Sequence, residues 1–205
     1  MSIYERYILP RLINLVMQNK ADMTERRRFI PRARGVVLEV GIGSGINVPF
    51  YGPEVRRLYG VDPSRELWRL ARKRVSSFRV PIDFVASSAE SIPLPEARVD
   101  DVVITWSLCS IPDPMQALGE MRRVLKPGGR LIFVEHGQSP DPAVRAWQER
   151  LNPVWRRIAG GCNLNRKMDE LLAKGGFHVS EIEQAYSSGP KPFTYLYKGV
   201  AQRDR

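Results

Sequence analysis

VVLEVGIGSGINVPFY, residues Val36 to Tyr51, is the stretch on which the fold turns. A β-branched run leads straight into glycines at alternate positions, Gly41, Gly43 and Gly45. A strand that ends this way turns backbone N–H groups toward a ligand and lets its atoms approach the main chain closely. A triphosphate loop needs G-x-x-x-x-G-K-[ST], and no lysine follows Gly41 before the next strand. A dinucleotide loop needs G-x-G-x-x-G, and its third glycine position is Ile46 here. The spacing is G-x-G-x-G instead. INVPFY leaves little room for a full helix, so a tight turn around Asn47 and Tyr51 is expected, with the N-terminal helix closing over the ligand.

Two carboxylates narrow the ligand further. Glu39, inside the strand, would repel a pyrophosphate but suits an amino group or a sulfonium. Asp62, in LYGVDPS, ends the next strand, where a carboxylate can accept both ribose hydroxyls. The ligand is therefore expected to combine a ribose with a positive charge and to lack a pyrophosphate.

Outward from the loop, apolar strand-like runs alternate with amphipathic helical ones, the pattern of an α/β sheet. Strands are predicted at 36–40, 57–61, 82–87, 101–106, 131–136, 178–185 and 194–202. The first five are near-continuous apolar runs, as in a parallel sheet covered on both faces. The last two are joined by a short Ser-Ser-Gly-Pro-Lys-Pro loop and should pair antiparallel at one edge. Helices are predicted in SRELWRLARKRVSSF with a Ser64 cap, in PMQALGEMRRVLKPGG, in PAVRAWQERLNPVWRRIAG and in NRKMDELLAKGG. At the N-terminus, Ile3, Tyr4, Tyr7, Ile8, Leu12, Leu15, Val16 and Asn19 fall at helical steps, which predicts an amphipathic helix with Pro10 near its middle. Its expected role is to pack on the sheet and cover the site, with membrane-surface contact as a further reading.

A length of 205 residues, 43% of them hydrophobic, suits one domain spanning 1–205. Within it, 1–30 is read as a helical lid and 137–165 as an insertion covering the acceptor. Glu5, Arg6 and Arg11 interrupt the stretch that could imitate a leader, so neither export nor a membrane span is expected. Cys109 and Cys162 lack the paired spacing of a zinc site and make no disulfide framework; no metal is expected, and a reducing cytoplasm fits. The net charge of +10 raises the question of a polyanion partner. Helical spacing should leave most of Arg26 to Arg28, Arg65, Arg69, Arg72, Lys73 and Arg74 on solvated faces, so nucleic acid is not favoured. The oligomeric state is left open.

The ordered set LEVGIGSG, GVDPS, VDDVVITWSLCSI and LKPGGRLIFVEH resembles the class I S-adenosylmethionine-dependent methyltransferases, over nearly the whole chain. The pattern is similar to the small-molecule enzymes related to ubiquinone and menaquinone C-methyltransferases. EHGQSPDPAVRAWQERLNPVWRRIAGGCNLNRK, especially GCNLNR, is similar to the corresponding segment of the mammalian microsomal alkyl-thiol and methyltransferase-like proteins. The resemblance implies a Rossmann-like fold with a seven-stranded, mostly parallel sheet, an antiparallel edge strand and helices on both faces. It also implies S-adenosylmethionine as methyl donor, S-adenosylhomocysteine as product and a small, rather apolar acceptor methylated at sulfur, oxygen or carbon.

Residue by residue, the resemblance implies that Glu39 and Gly41 face the methionine amino group and that the Gly43 to Gly45 turn, followed by Asn47, passes beneath sugar and methionine. Asp62 would hold the ribose, with Pro63 and Ser64 beside the adenine. Ser88 replaces the usual aspartate at the adenine edge, where the Ala89 N–H can still read the ring. Thr105 and Trp106 would line the methionine end.

His136, at the carboxyl end of the fifth strand, stands where a base belongs, although a hydrogen-bonded strand-end histidine reads equally well. Tyr7, Cys109, Asn163 and Arg166 are candidate acceptor-pocket residues, and Trp106, Trp147 and Trp155 candidate walls. Packing is the default for the thiols. Two other functions remain open: an RNA or protein methyltransferase, which lacks its base-amine motif here, and a non-catalytic S-adenosylmethionine-binding module, which would tolerate loss of the loop glycines or Asp62.

Overall fold

The computed structural model of the chain describes Tyr4 to Arg203; Ile3 and the side chains of Glu5, Arg6 and Lys73 lie outside the described residues. Strands β1 (Gly35–Val40), β2 (Val55–Val61), β3 (Ile82–Val85), β4 (Val99–Thr105), β5 (Leu125–His136), β6 (Phe177–Tyr186) and β7 (Tyr195–Arg203) form a single sheet in the order β3-β2-β1-β4-β5-β7-β6. The first five run parallel. β7 is antiparallel to both neighbours, so the reversed strand lies second from the edge and β6 forms the edge itself. Order reverses between β1 and β4, and β1, β2 and β4 end there at a switch point where such sheets bind ligands.

The central runs are buried on both faces, as their unbroken apolar character requires. Leu38, Val40, Val102 and Ile104 pack into one core, and Val37, Leu58, Val103 and Ile132 into the other. Helices α3 (Arg65–Ser76), α4 (Pro114–Val124), α5 (Pro142–Ile158) and α6 (Met168–Lys174) follow the predicted segments. Ser64 caps α3 by accepting the Leu67 N–H, while Asp113 and Asp141 cap α4 and α5. LKPGG leaves the helix and opens β5, with the ladder irregular between Val99 and Asp101.

The N-terminal segment departs from expectation. A π-helical turn, Tyr4–Ile8, leads into α1 (Leu9–Val16), and Asn19 caps a separate α2 (Lys20–Phe29). Pro10 lies in the first turn of α1 rather than mid-helix, where its missing N–H costs nothing. The predicted apolar stripe faces outward: Leu12, Leu15 and Val16 are 46%, 71% and 63% exposed. Leu9, Pro10, Ile13 and Met17 turn inward instead. Nor do all three arginines of α2 face solvent, because Arg26 is buried.

Candidate active site

A cavity of about 350 Å³ opens at the switch point, within the roughly 300–1,000 Å³ of ligand pockets. Its floor is the glycine loop after β1, its sides the ends of β2 and β4, and its rim includes Leu9, Pro10, Ile13 and Met17 of the α1 region. Glu39, Gly41, Gly43, Asn47, Asp62, Pro63, Ser64, Ser88, Ala89, Thr105 and Trp106 all line it. Gly45 does not; a Cβ there would meet Ala71 and Val48, so this glycine serves the packing of α3 on the loop. Gly41 adopts φ +74°, and a Cβ would collide with the Ser107 hydroxyl. The loop is followed by a single 3₁₀ turn, Val48–Phe50.

Asp62 is held ready by main chain on both oxygens. Oδ2 accepts the Gly43 N–H at 2.9 Å and Oδ1 the Ser64 N–H at 2.7 Å. Burial raises its pKa, and those two N–H donors oppose the rise. Each oxygen keeps acceptor capacity, since an ionised carboxylate offers about four lone-pair sites.

Glu39 is 2% exposed, and both of its oxygens accept hydrogen bonds. Asn47 Nδ2 donates to Oε1 at 2.8 Å, and the Tyr51 hydroxyl donates to Oε2 at 2.8 Å. The tight turn therefore folds its two polar side chains back onto the strand carboxylate. Burial lifts Glu39 to about 7 despite those donors and the nearby Arg26 charge. Burial also pushes the Tyr51 hydroxyl upward.

Arg26 completes this network from α2. Its Nη1 donates to Asn47 Oδ1 at 2.5 Å and to Thr105 Oγ1 at 3.2 Å, and its guanidinium carbon lies 4.5 Å from the centre of the Trp106 ring. Its Nε is buried without a partner among the described residues. Burial lowers its pKa to about 10, so it stays charged at neutral pH. Sequence reading misses Arg26 because it lies in an Arg-Arg-Arg run that looks like a solvated helix face.

Trp106 is one of two non-glycine residues with positive φ among those described, at +48°. A bulky residue in that region is strained, and the surroundings must hold it there. They do so through the Trp106 N–H to the Val134 carbonyl at 2.8 Å and through Glu135. This fully buried carboxylate accepts the N–H groups of Ser107, Leu108 and Cys109 at 2.7, 3.0 and 3.3 Å. Glu135 interrupts the apolar run LIFVEH, which is the signal that could have found it.

The remaining sequence candidates fall beside the cavity rather than on its lining. Asn163 Nδ2 donates to the carbonyls of Cys109 and Gly161, both at 2.9 Å, and Arg166 Nη1 donates to the Leu108 carbonyl at 2.5 Å. Both therefore pin the turn after β4. Tyr7 is 39% exposed. Trp147 faces solvent, whereas Trp155 donates its indole N–H to Cys162 Sγ at 3.3 Å. His136 Nε2 lies 2.9 Å from the same sulfur. The neighbouring Cys109 thiol lowers the Cys162 pKa, and Cys162 in turn raises that of Cys109. From the 137–165 segment, Ala159 and Gly160 reach the cavity, facing Ser110, Ile111 and Pro112.

A family model described as a methyltransferase domain matches residues 38–133. Human thiol S-methyltransferase TMT1B is 31% identical over 198 residues, covering 94% of this chain and 79% of that protein. The rat protein of the same name is 35% identical over 167 residues, covering 80% of this chain and 66% of its own, so the chain spans about two thirds of its length. A demethylmenaquinone methyltransferase from Listeria monocytogenes is 32% identical over 108 residues, 52% of this chain and 44% of that one. Among solved structures, YcgJ from Bacillus subtilis superposes with a TM-score of 0.67 at 16% identity, covering 97% of this chain and 99% of its own. A SAM-dependent methyltransferase from Aquifex aeolicus gives 0.63 at 20% identity, covering 94% and 97%. At these identities the likeness is one of fold.

Proposed function

The chain belongs to the class I S-adenosylmethionine-dependent methyltransferases, and from that premise we propose that it methylates a small, rather apolar acceptor at a thiol sulfur. The observation that carries the ligand assignment is the pair of buried carboxylates, Glu39 and Asp62, at the ends of adjacent parallel strands in one cavity. The residues present fit the donor. Asp62 has lone pairs left for two ribose hydroxyls, Glu39 answers an ammonium, and Arg26 Nε, which has no partner among the described residues, answers the methionine carboxylate. Ser88 and the Ala89 N–H stand at the adenine edge, with Pro63 and Ser64 alongside.

When bound, the sulfonium would supply an activated methyl group, which an in-line nucleophile takes up as S-adenosylhomocysteine leaves. The chain's contribution is alignment and exclusion of water, which can lower the barrier by up to ~7–11 kcal/mol. Leu9, Pro10, Ile13 and Met17 act as the lid, and Ser110, Ile111, Ala159 and Gly160 wall the acceptor side. The thiol preference is supported by the similarity to the TMT1 proteins, which are named as thiol S-methyltransferases. The outward apolar face of α1, on a chain of net charge +10, suits weak contact with an anionic lipid surface from which apolar acceptors would enter. No helix among the described residues is long and apolar enough to cross a membrane.

The test is a labelled-methyl screen against alkyl thiols, phenols, quinols, phospholipids and RNA at two salt concentrations. Label in the thiol fraction at both salts is the expected result. Label in RNA alone, lost at high salt, would replace this reading with a nucleic-acid methyltransferase.

A further inference from the structure

Cys109, His136 and Cys162 come from three separate elements: the turn after β4, the end of β5 and the loop after α5. Their two sulfurs and an imidazole nitrogen all lie within 4.8 Å of one another. No local motif announces them, because their spacings in the chain are 27 and 26 residues. Two thiolates and one neutral imidazole carry two negative charges, which balance a divalent cation. Tetrahedral zinc has Zn–S near 2.3 Å and Zn–N near 2.0–2.1 Å, which sets donors roughly 3.6–3.8 Å apart. The 2.9 Å contact between His136 Nε2 and Cys162 Sγ would therefore open by under roughly 1 Å, a side-chain adjustment.

The supports around these donors are already built. Glu135 holds the Cys109 N–H, and Asn163 holds the Cys109 carbonyl through both its backbone N–H and its side chain, each at 2.9 Å. Trp155 points its indole N–H at the Cys162 sulfur, as an outer partner of a ligating thiolate does. His136 is the exception: among the described residues its Nδ1 is buried without an outer partner, and Nε2 alone is engaged, 2.9 Å from Cys162 Sγ. The cluster lies just behind the acceptor wall: Ser110, which lines the cavity, contacts Cys109 Sγ at 3.6 Å, and Gly160 on the same wall precedes Cys162 by two residues.

We propose that Cys109, His136 and Cys162 bind a thiophilic divalent cation such as Zn²⁺, leaving its fourth position to an acceptor sulfur that enters from the cavity past Ser110. The second half rests on the thiol reading above. Metal binding would release the two cysteine protons to solvent, and coordination of the acceptor would break its S–H bond as the sulfur–metal bond forms, with that proton also passing to solvent. Methyl transfer would form the acceptor's S–CH3 bond as the donor's S–CH3 bond breaks and S-adenosylhomocysteine leaves, turning a strong thiolate ligand into a weakly held thioether.

The experiment adds Co²⁺, as a spectroscopic substitute for Zn²⁺, to the reduced 205-residue chain under anaerobic conditions, with S-adenosylmethionine binding measured on the same sample. One equivalent should give thiolate charge-transfer bands in the near ultraviolet and the visible bands of tetrahedral cobalt. Cys109→Ser and Cys162→Ser should each remove about half of the charge-transfer intensity, and His136→Ala should weaken Co²⁺ binding at least about tenfold. Butanethiol should shift the visible bands. Wild-type chain that binds S-adenosylmethionine yet gives no cobalt bands would overturn the metal site while leaving the methyltransferase reading intact. Bands that ignore butanethiol would overturn the fourth-position assignment, and methylation of phenols rather than thiols would sink the acceptor reading without touching the metal site. Because wild-type spectra decide the first point, a misfolded variant does not blunt the test.

Discussion

Protonation of Glu39 should compete with the binding of S-adenosylmethionine, and the structure sets the size of the effect. Glu39 is 2% exposed, and burial lifts its carboxyl from 4.5 to about 7. In the ligand-free chain a raised carboxyl pKa stabilises below the unfolded value and loses that contribution as pH rises through the folded one. The shift amounts to about 3 kcal/mol at about 1.4 kcal/mol per unit. A cation placed against the carboxylate reverses the preference, so binding should require the ionised form. For a group titrating near 7, the ionised fraction changes so that affinity rises about eightfold between pH 6.0 and 7.5. At pH 6.5, binding should release about three quarters of a proton, seen calorimetrically as a dependence of heat on buffer ionisation enthalpy. The ligand's own amino group titrates nearby, at roughly 7.7–8.0, and Glu39→Gln supplies the correction. The ratio of wild-type to Glu39→Gln affinity should carry the eightfold change. Identical pH profiles and equal proton release in the two proteins would refute direct pairing of Glu39 with the ligand cation.

Asp62→Asn should weaken S-adenosylmethionine binding by about 1.5–3 kcal/mol, roughly 10- to 100-fold, because hydrogen bonds to a charged acceptor are lost. Asn keeps an acceptor for one of the Gly43 and Ser64 N–H groups where Ala would lose both, so the melting temperature is read beside equilibrium dialysis; unchanged affinity would contradict the ribose assignment. Gly41→Ala should lower the melting temperature by about 2–8 °C and abolish detectable binding, as φ +74° alone costs a residue with a Cβ about 1–2 kcal/mol. A thermal shift with no loss of binding would show that the loop does not approach the ligand. Leu15→Glu combined with Val16→Glu should reduce sedimentation with anionic vesicles while leaving the melting temperature within about 2 °C, both side chains being exposed. Equal vesicle binding would remove α1 from any lipid contact.

The glycine loop, Glu39 and Asp62 are legible in the sequence because each is tied to a strand end by spacing alone. Strand type is equally legible: apart from Glu39, Asp101 and Thr105 the buried side chains of β1 and β4 are apolar on both faces, which only a sheet covered on both sides accommodates. Glu135 announces itself only as a break in the apolar run LIFVEH, without its partners, whereas Arg26 is not legible, since its burial depends on partners 21 to 79 residues distant. The same is true of Cys109 and Cys162, which tertiary structure brings together across 53 residues. The α1 stripe misleads for a different reason. Helical periodicity identifies a face but not its direction, and in α1 the inward set, Leu9, Pro10, Ile13 and Met17, is as apolar as the outward one. His136 reads correctly as a strand-end residue on the ligand side, but its neighbour within hydrogen-bond reach is a thiol rather than the cavity.

The most direct measurement is a crystal structure with S-adenosylhomocysteine soaked or co-crystallised. The account predicts one molecule in the cavity, with both ribose hydroxyls on Asp62, the ammonium beside Glu39, and the carboxylate on Arg26 Nε. The thioether sulfur should face the wall formed by Ser110 and Gly160. A nucleoside bound elsewhere, or one in this cavity with its ribose away from Asp62, would contradict it.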